Sequence, residues 1–338
     1  MVEHEERVNI GLIGPDRLGT EGISRLNRNS ELDINFIVLD QKIRGRQELL
    51  EIIPNENFYS LESDFFKKAR NGIVLADFLD LKLKKYQGKL DITKSFFCNA
   101  NFLNQKEGLK LLFETARRKN ILICFDLPLR FTRAFLELNE NIKKGSLGKI
   151  SQIDLTFYKN KKLNKNLCKS NKTNFYGAFM DTGIHMLDIA LKVLNYPEIS
   201  YLNAIPYKNG KKIERILPPL CEDYFLVTLI TKTGILINLR CSTNLPQSKP
   251  QVMEADFHGE KGLLSLRNNG DKENDLIVQQ FRNQDTQIIS SPPDVYVDAA
   301  SKEWIWSLKT DKRYNVQTET EMLALSDLVN KIYTFKTA

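Results

Sequence analysis

Two short stretches of this chain carry residue types at spacings that suit chemistry. The first is Asp181-Thr-Gly-Ile-His185, in which an aspartate and a histidine four residues apart share one face of an expected helix. Asp188 and Lys192 continue that stripe. An imidazole of ordinary pKa, about 6.5, exchanges protons at cellular pH, as a general acid or base must. The same stripe also fits the wet side of an amphipathic helix. The second stretch is "NIGLIGPDRLG", residues 9–19, an apolar run entering a turn bounded by Gly14 and Gly19. Turns of this kind lay backbone N–H groups against a pyrophosphate.

The loop departs from its pattern at Asp16, which stands where the backbone should approach the phosphates without a side chain. Two unit charges about 4 Å apart at an effective dielectric near 20 repel by roughly 4 kcal/mol. Pro15 removes one backbone donor as well. Arg17, followed by Leu18, offsets part of the repulsion by pairing with Asp16 or with the phosphate. Asp40 ends the next apolar run at the spacing of an acid that accepts ribose hydroxyls, and also reads as an ordinary acid closing a strand. Arg44 and Arg46 follow it and could take a 2′-phosphate, so NAD and NADP both stay open.

These residues need elements to hold them. "RVNIGLIG", "DINFIVLD", "NGIVLADF", "KSFFCNA" and "ILICFDL" read as buried parallel strands, with helical periodicity in "TEGISRLNR" and "QKEGLKLLFETARRKN". Strands alternating with helices predict a doubly wound α/β domain over residues 6–126. From about 127 to 338 the texture changes to long alternating strands with hairpin turns at Lys232-Thr233-Gly234 and Gly259-Glu260-Lys261-Gly262. One strong helix, "GAFMDTGIHMLDIALKVLN", interrupts them, and "TETEMLALSDLVNKIYTF" closes the chain. The second domain is therefore expected to be an open, mainly antiparallel sheet with helices on one face. Its bare face, expected to be apolar, predicts a homodimer or tetramer.

Composition removes several classes of function. The chain has 338 residues, 42% of them hydrophobic, with no apolar run long enough to span a membrane. Its first residues, "MVEHEERVNI", are too polar for a signal peptide, so a cytoplasmic address is expected. Five scattered cysteines form no Cys-x-x-Cys pair and are expected to be reduced, and three histidines are too few for a histidine-rich metal cluster. Net charge is +7, yet the densest basic run, "YKNKKLNKNLCKSNK" at 158–172, holds no arginine. It reads as a solvated loop, or as a flap through Lys161, Lys162 and Lys165 for an anionic small molecule, rather than as a nucleic-acid surface.

With these motifs in order, the chain resembles the glucose-fructose oxidoreductase / inositol dehydrogenase (Gfo/Idh/MocA) family over nearly its whole length. "GSLGKI", "GAFMDTGIHMLD" and "MEADFHGEKGLLSL" carry the more specific marks. The resemblance implies a Rossmann domain holding NAD or NADP at Gly14, Asp16, Arg17, Leu18, Gly19 and Asp40. It also implies a second domain whose open sheet pairs subunits, and a sugar, cyclitol or nucleotide-sugar substrate. It makes His185 the acid/base and Asp181 its orienting or substrate-binding neighbour, with no metal. The family's Glu-Lys-Pro falls on Asn99-Ala100-Asn101, so its lysine is replaced by Ala100; a rival placement on "FDLPLRF" at 125–131 lacks the lysine too. A Thr-Pro stretch with a histidine is absent from "LADFLDLKLKKY". The resemblance thus supports an oxidoreductase with impaired or altered cofactor use. The alternative is a catalytically silent member that senses a ligand or binds a partner, including as a mixed oligomer with an active relative.

Overall fold

The computed structural model of the chain describes residues 8–14, 22–24, 26, 34–39, 46–76, 95–160, 177–214, 221–244, 249–270, 272–310 and 313–335. Asp16, Arg17, Leu18, Gly19 and Asp40 lie outside them, as do Arg44, the lysines 161, 162 and 165 and the stretch 77–94. The helices used below are α1 (Glu62–Lys68), α2 (Lys106–Lys119), α3 (Arg133–Lys143), α4 (Ile184–Val193), α5 (Ala299–Lys309) and α6 (Val316–Thr334). The chain divides into two compact units, residues 1–126 with 300–323 and residues 127–299 with 324–338.

The first unit is a Rossmann domain. Strands β1 (Val8–Ile13), β2 (Ile34–Leu39), β3 (Phe58–Tyr59), β4 (Gly72–Leu75), β5 (Ser95–Cys98) and β6 (Leu122–Phe125) pair in the order β3-β2-β1-β4-β5-β6. Every pairing among them is parallel. The order reverses between β1 and β4, where folds of this class bind their ligands. Helix α1 packs so closely on β1 that a Cβ on Gly11 would lie 2.6 Å from the Ala69 Cβ and 2.7 Å from the Phe65 ring. Helix α2 buries Leu109, Leu112, Phe113 and Ala116, an i, i+3, i+4, i+7 spacing that keeps one face apolar. It ends on Asn120 at φ 54°, a left-handed cap.

Residues 300–323, which the sequence reading places with 127–338, count with this first unit. Trp304 explains the difference. It is fully buried, donates from Nε1 to Ser95 Oγ at 2.6 Å, and lies 5.3 Å from the Phe97 ring. Gly72 is needed beneath it, since a Cβ there would stand 2.7 Å from the indole. Helix α5, which carries the tryptophan, is not foreseen by periodicity.

The second unit is a nine-stranded sheet of β7 (Ile150–Lys159), β8 (Ile199–Lys208), β9 (Lys211–Lys212), β10 (Tyr224–Thr231), β11 (Leu236–Ser242), β12 (Gln251–Gly259), β13 (Gly262–Asn269), β14 (Lys272–Arg282) and β15 (Asp285–Ser290). Their order is β15-β14-β13-β12-β7-β11-β10-β8-β9, antiparallel except for β7 with β11. β10 alternates half-buried and buried residues along its whole length, the mark of a sheet covered on one side. The covered face holds Ile153, Leu155, Phe157, Phe225, Val227, Leu239 and Phe257.

The bare face corrects an expectation, because its centre is polar. Asp154 on β7 accepts from Gln152 at 2.6 Å and from Asn238 on β11 at 2.9 Å, and lies 3.3 Å from His258 Nε2 on β12. The two strands that suggested an apolar face, β10 and β11, interleave Leu226 and Ile230 with Thr228, Asn238 and Arg240 on that side. The thiols also need correcting. Cys98, Cys124 and Cys241 are free, whereas Cys221 is disulfide-bonded, which a reduced set of five does not anticipate. Among the described residues no helix is long and apolar enough to cross a membrane, and no cluster of His, Cys, Asp or Glu could hold a metal ion.

Candidate functional site

The "GAFMDTGIHMLD" segment folds as a π-turn, Phe179–Gly183, running directly into α4. Its start is fixed by Glu222, whose backbone oxygen accepts from Ala178 N at 2.9 Å and whose Oε1 accepts from Phe179 N at 3.0 Å. Gly177 is required there: a Cβ would fall 2.0 Å from the Glu222 carboxyl. Thr182 is buried and returns its hydroxyl to Ala178 O at 2.7 Å. Gly183 lets the turn lie against β11, where a Cβ would meet Cys241 Sγ at 2.8 Å. Single π-turns inside helices recur at functional sites, since they turn side chains away from the regular helical register.

The observed exposures depart from the expected stripe. Asp181 is 44% exposed and His185 half-buried, but Asp188, predicted to continue the wet face, is buried at 1%. It is held by Arg130, which donates to it from Nε at 2.9 Å and from Nη2, and by the Tyr196 hydroxyl at 3.1 Å. Arg130 comes from the turn Pro128–Phe131, inside the "FDLPLRF" stretch. The arginine therefore cancels a charge that would otherwise be costly to bury.

His185 is the centre of what remains. Its Nδ1 is enclosed and finds no hydrogen-bond partner among the described residues. Burial, assisted by the positive charge of Lys159, pushes its pKa down to about 4 against the opposing pull of Asp181 and Asp188. The ring is therefore neutral at cellular pH. Lys159 ends β7 with Nζ 3.3 Å from Asp181 Oδ2 and 5.1 Å from the centre of the Phe157 ring. Neutral imidazole, carboxylate and ammonium thus stand together, able to take a proton and to grip neighbouring hydroxyls.

Beneath the π-turn lies a second, enclosed group. Glu222 Oε1 also accepts from the Tyr333 hydroxyl at 3.1 Å, while its Oε2 is buried without a partner among the described residues. Burial raises this carboxyl to about 7. Tyr333 and Cys241 beside it are likewise pushed well up by burial. Lys159 and Arg130 fall within stretches already quoted, the basic run and "FDLPLRF", but neither they nor Glu222 can be assigned to this site from the sequence. They come from three other segments, and no local spacing links them to the Asp181-to-His185 motif.

In the first unit, Gly14 leaves β1 at φ 68°, the left-handed conformation that opens a phosphate loop. Arg46 is engaged elsewhere: its guanidinium lies 4.9 Å from the centre of the Phe58 ring and donates to Asn55 Oδ1 at 2.9 Å. Ala100 opens a short 3-10 turn, Ala100–Asn104, capped by Asn99, and is 5% exposed. It brings no amine.

Comparison with known proteins agrees with this architecture. Residues 135–265 match the GFO/IDH/MocA C-terminal domain. An uncharacterised oxidoreductase of Schizosaccharomyces pombe is 27% identical over 143 residues, 41% of this chain and 36% of that protein's length. Among solved structures, KijD10, a 3-ketoreductase from Actinomadura kijaniata in complex with TDP-benzene and NADP, superposes with a TM-score of 0.73 at 13% identity, covering 97% of this chain and 98% of that one. An oxidoreductase domain protein from Kribbella flavida superposes with a TM-score of 0.73 at 13% identity, covering 97% and 96%. A Rossmann sheet in parallel order and a nine-stranded second sheet thus accompany a segment, residues 135–265, that matches the C-terminal domain of the Gfo/Idh/MocA family, the family the chain resembles.

Proposed function

We propose that this protein is an NAD(P)-dependent oxidoreductase acting on a sugar, cyclitol or nucleotide-sugar. The observation that carries the reading is His185, a neutral, half-buried imidazole with an unpartnered Nδ1, set beside the Asp181–Lys159 pair. In the oxidative direction His185 accepts the hydroxyl proton; a nicotinamide held by Gly14 and the loop after it would supply the hydride acceptor. The ammonium of Lys159 can donate to one hydroxyl oxygen while the Asp181 carboxylate accepts from the next, which suits a polyol. The nucleotide-sugar option draws on KijD10, whose complex holds NADP and TDP-benzene.

Cofactor use is expected to be weak, and Asp16 is the reason. Calorimetric titration with NAD(H) and NADP(H) should show Asp16→Gly binding tighter than the native chain by about one to three decades, the repulsion of roughly 4 kcal/mol discounted for Arg17. Equal micromolar binding by both would remove Asp16 from the account. Turnover is then sought on a panel of sugars, cyclitols and nucleotide-sugars. No binding and no turnover in either protein would overturn the reading.

A second reading, a silent ligand-sensing or partner-binding member, is favoured by Ala100 alone. A buried methyl group stands where the resemblance asks for a lysine. Ligand binding without turnover in both native protein and Asp16→Gly would select it.

A further inference from the structure

Two carboxylates press on His185, and each is answered by a cation from another element. Asp188 is answered by Arg130, bonded through two guanidinium nitrogens in the interior. Asp181 is answered by Lys159 from the last position of β7, 28% exposed against 44% for the aspartate. Without the second pairing, the imidazole would sit beside an uncompensated carboxylate, and a carboxylate neighbour favours the protonated ring. Among the described residues, the other titratable groups around the turn include Cys241 on β11, Glu222 ahead of β10 and Tyr333 on α6. They lie toward Thr182 and Phe179, and all are neutral near pH 6 through burial.

We propose that Lys159 is the positioning residue of this site: its ammonium anchors the Asp181 carboxylate and keeps a positive charge beside His185, so that the neighbouring carboxylate does not strengthen the ring's hold on a proton. The pairing itself is a property of the second unit. Its use in proton transfer rests on the function proposed above. The reaction it would serve balances with NAD(P)⁺ as the oxidant: a bound nicotinamide would supply the hydride acceptor for the substrate carbon, His185 takes the hydroxyl proton, and Lys159 keeps its own protons throughout. Lys159 ends the strand that follows "GSLGKI" and belongs to the basic run at 158–172, and it supplies charge in a site whose expected lysine is Ala100.

The test separates the pairing from the activity. Imidazole titration by NMR on the full chain is simple with three histidines, His185 being assigned by its loss in His185→Gln. In Lys159→Met the His185 midpoint should rise by about one unit, a tenfold gain in proton affinity. Lys159→Arg should restore it, and high salt should raise the midpoint of the native chain in the same direction. Should Lys159→Met fold poorly, Lys159→Gln serves with the salt titration. A midpoint unmoved by loss of the ammonium, or not restored by arginine, overturns the proposal. Where the native chain turns over a substrate, the acid limb of kcat/KM should shift with that midpoint in Lys159→Met; an unshifted limb also overturns it. A native chain with no turnover removes the proposed function alone, and the NMR titration still decides the role of Lys159.

Discussion

His185 and Glu222 flank the same turn of helix, and burial drives them in opposite directions. The imidazole is pushed down to about 4 and the carboxyl up to about 7. Both shifts favour the neutral form, as burial in a low dielectric must. Their surroundings differ in kind. Glu222 is wholly enclosed, accepts from a backbone N–H and from Tyr333, and closes off the start of the π-turn. His185 is less deeply buried, with an enclosed, unpartnered Nδ1 and a part-exposed ion pair beside it. A displaced pKa is therefore not by itself a sign of chemistry. What distinguishes the site is access, together with unspent hydrogen-bonding capacity.

The comparison breaks most sharply at His185. If it is the proton carrier, His185→Gln should cost about 10² to 10⁴ in rate, the usual range for a positioned acid or base. Melting temperature should move little, since a half-buried ring replaced by a polar chain of similar length leaves no sealed cavity. A large drop in melting temperature with unchanged turnover would place His185 with Glu222, as part of the scaffold. Measuring both quantities on one preparation decides between them.

Much of the architecture was legible because periodicity and punctuation are local. The strands of both sheets that alternate or run apolar, the turns at Gly234 and Gly262, and helix α2 can be read from windows of about ten residues. Helix α5 could not be. Its apolar residues follow no clean stripe, and Trp304 is buried by Ser95 and Gly72, more than two hundred residues away in sequence. The site divides along the same line. Asp181 and His185 are legible as an i, i+4 pair, whereas Lys159, Arg130 and Glu222 arrive through strand pairing and helix packing. The stripe through Asp188 misled because Arg130, brought in from another segment, takes that carboxylate into the interior, and nothing in a helical wheel announces such a partner.

The next largest effect concerns the ground Glu222 stands on. Gly177→Ala would place a methyl 2.0 Å from a carboxyl that cannot retreat, bonded as it is to Phe179 and Tyr333. We expect a destabilisation of about 2 to 4 kcal/mol, in the range of overpacked interiors that also lose a buried hydrogen bond. Urea unfolding should show a lowered midpoint at unchanged slope. A change below about 0.5 kcal/mol, the level of an ordinary surface substitution, would mean that Glu222 does not hold the turn.

The finest test uses the two opposed shifts together. Glu222 is raised in the folded chain from 4.5 to about 7, so the folded state binds the extra proton between those values. Its contribution is full below pH 4.5 and is lost as pH rises through 7. His185 is lowered from 6.5 to about 4, so its contribution is present above pH 6.5 and is lost as pH falls through 4. Between about pH 4.5 and 6.5 folding moves one proton's worth of occupancy from histidine to glutamate, and the two slopes cancel. Each single variant should uncover the other. Glu222→Gln should gain stability with rising pH through that window, and His185→Gln should lose it, by up to about 2 to 3 kcal/mol for a shift of this size. The smaller slope should be the one His185 causes, because its ring is partly wet and screened. The double variant should be flat again, and slopes that fail to reverse sign between the two singles would show that burial does not govern this pair.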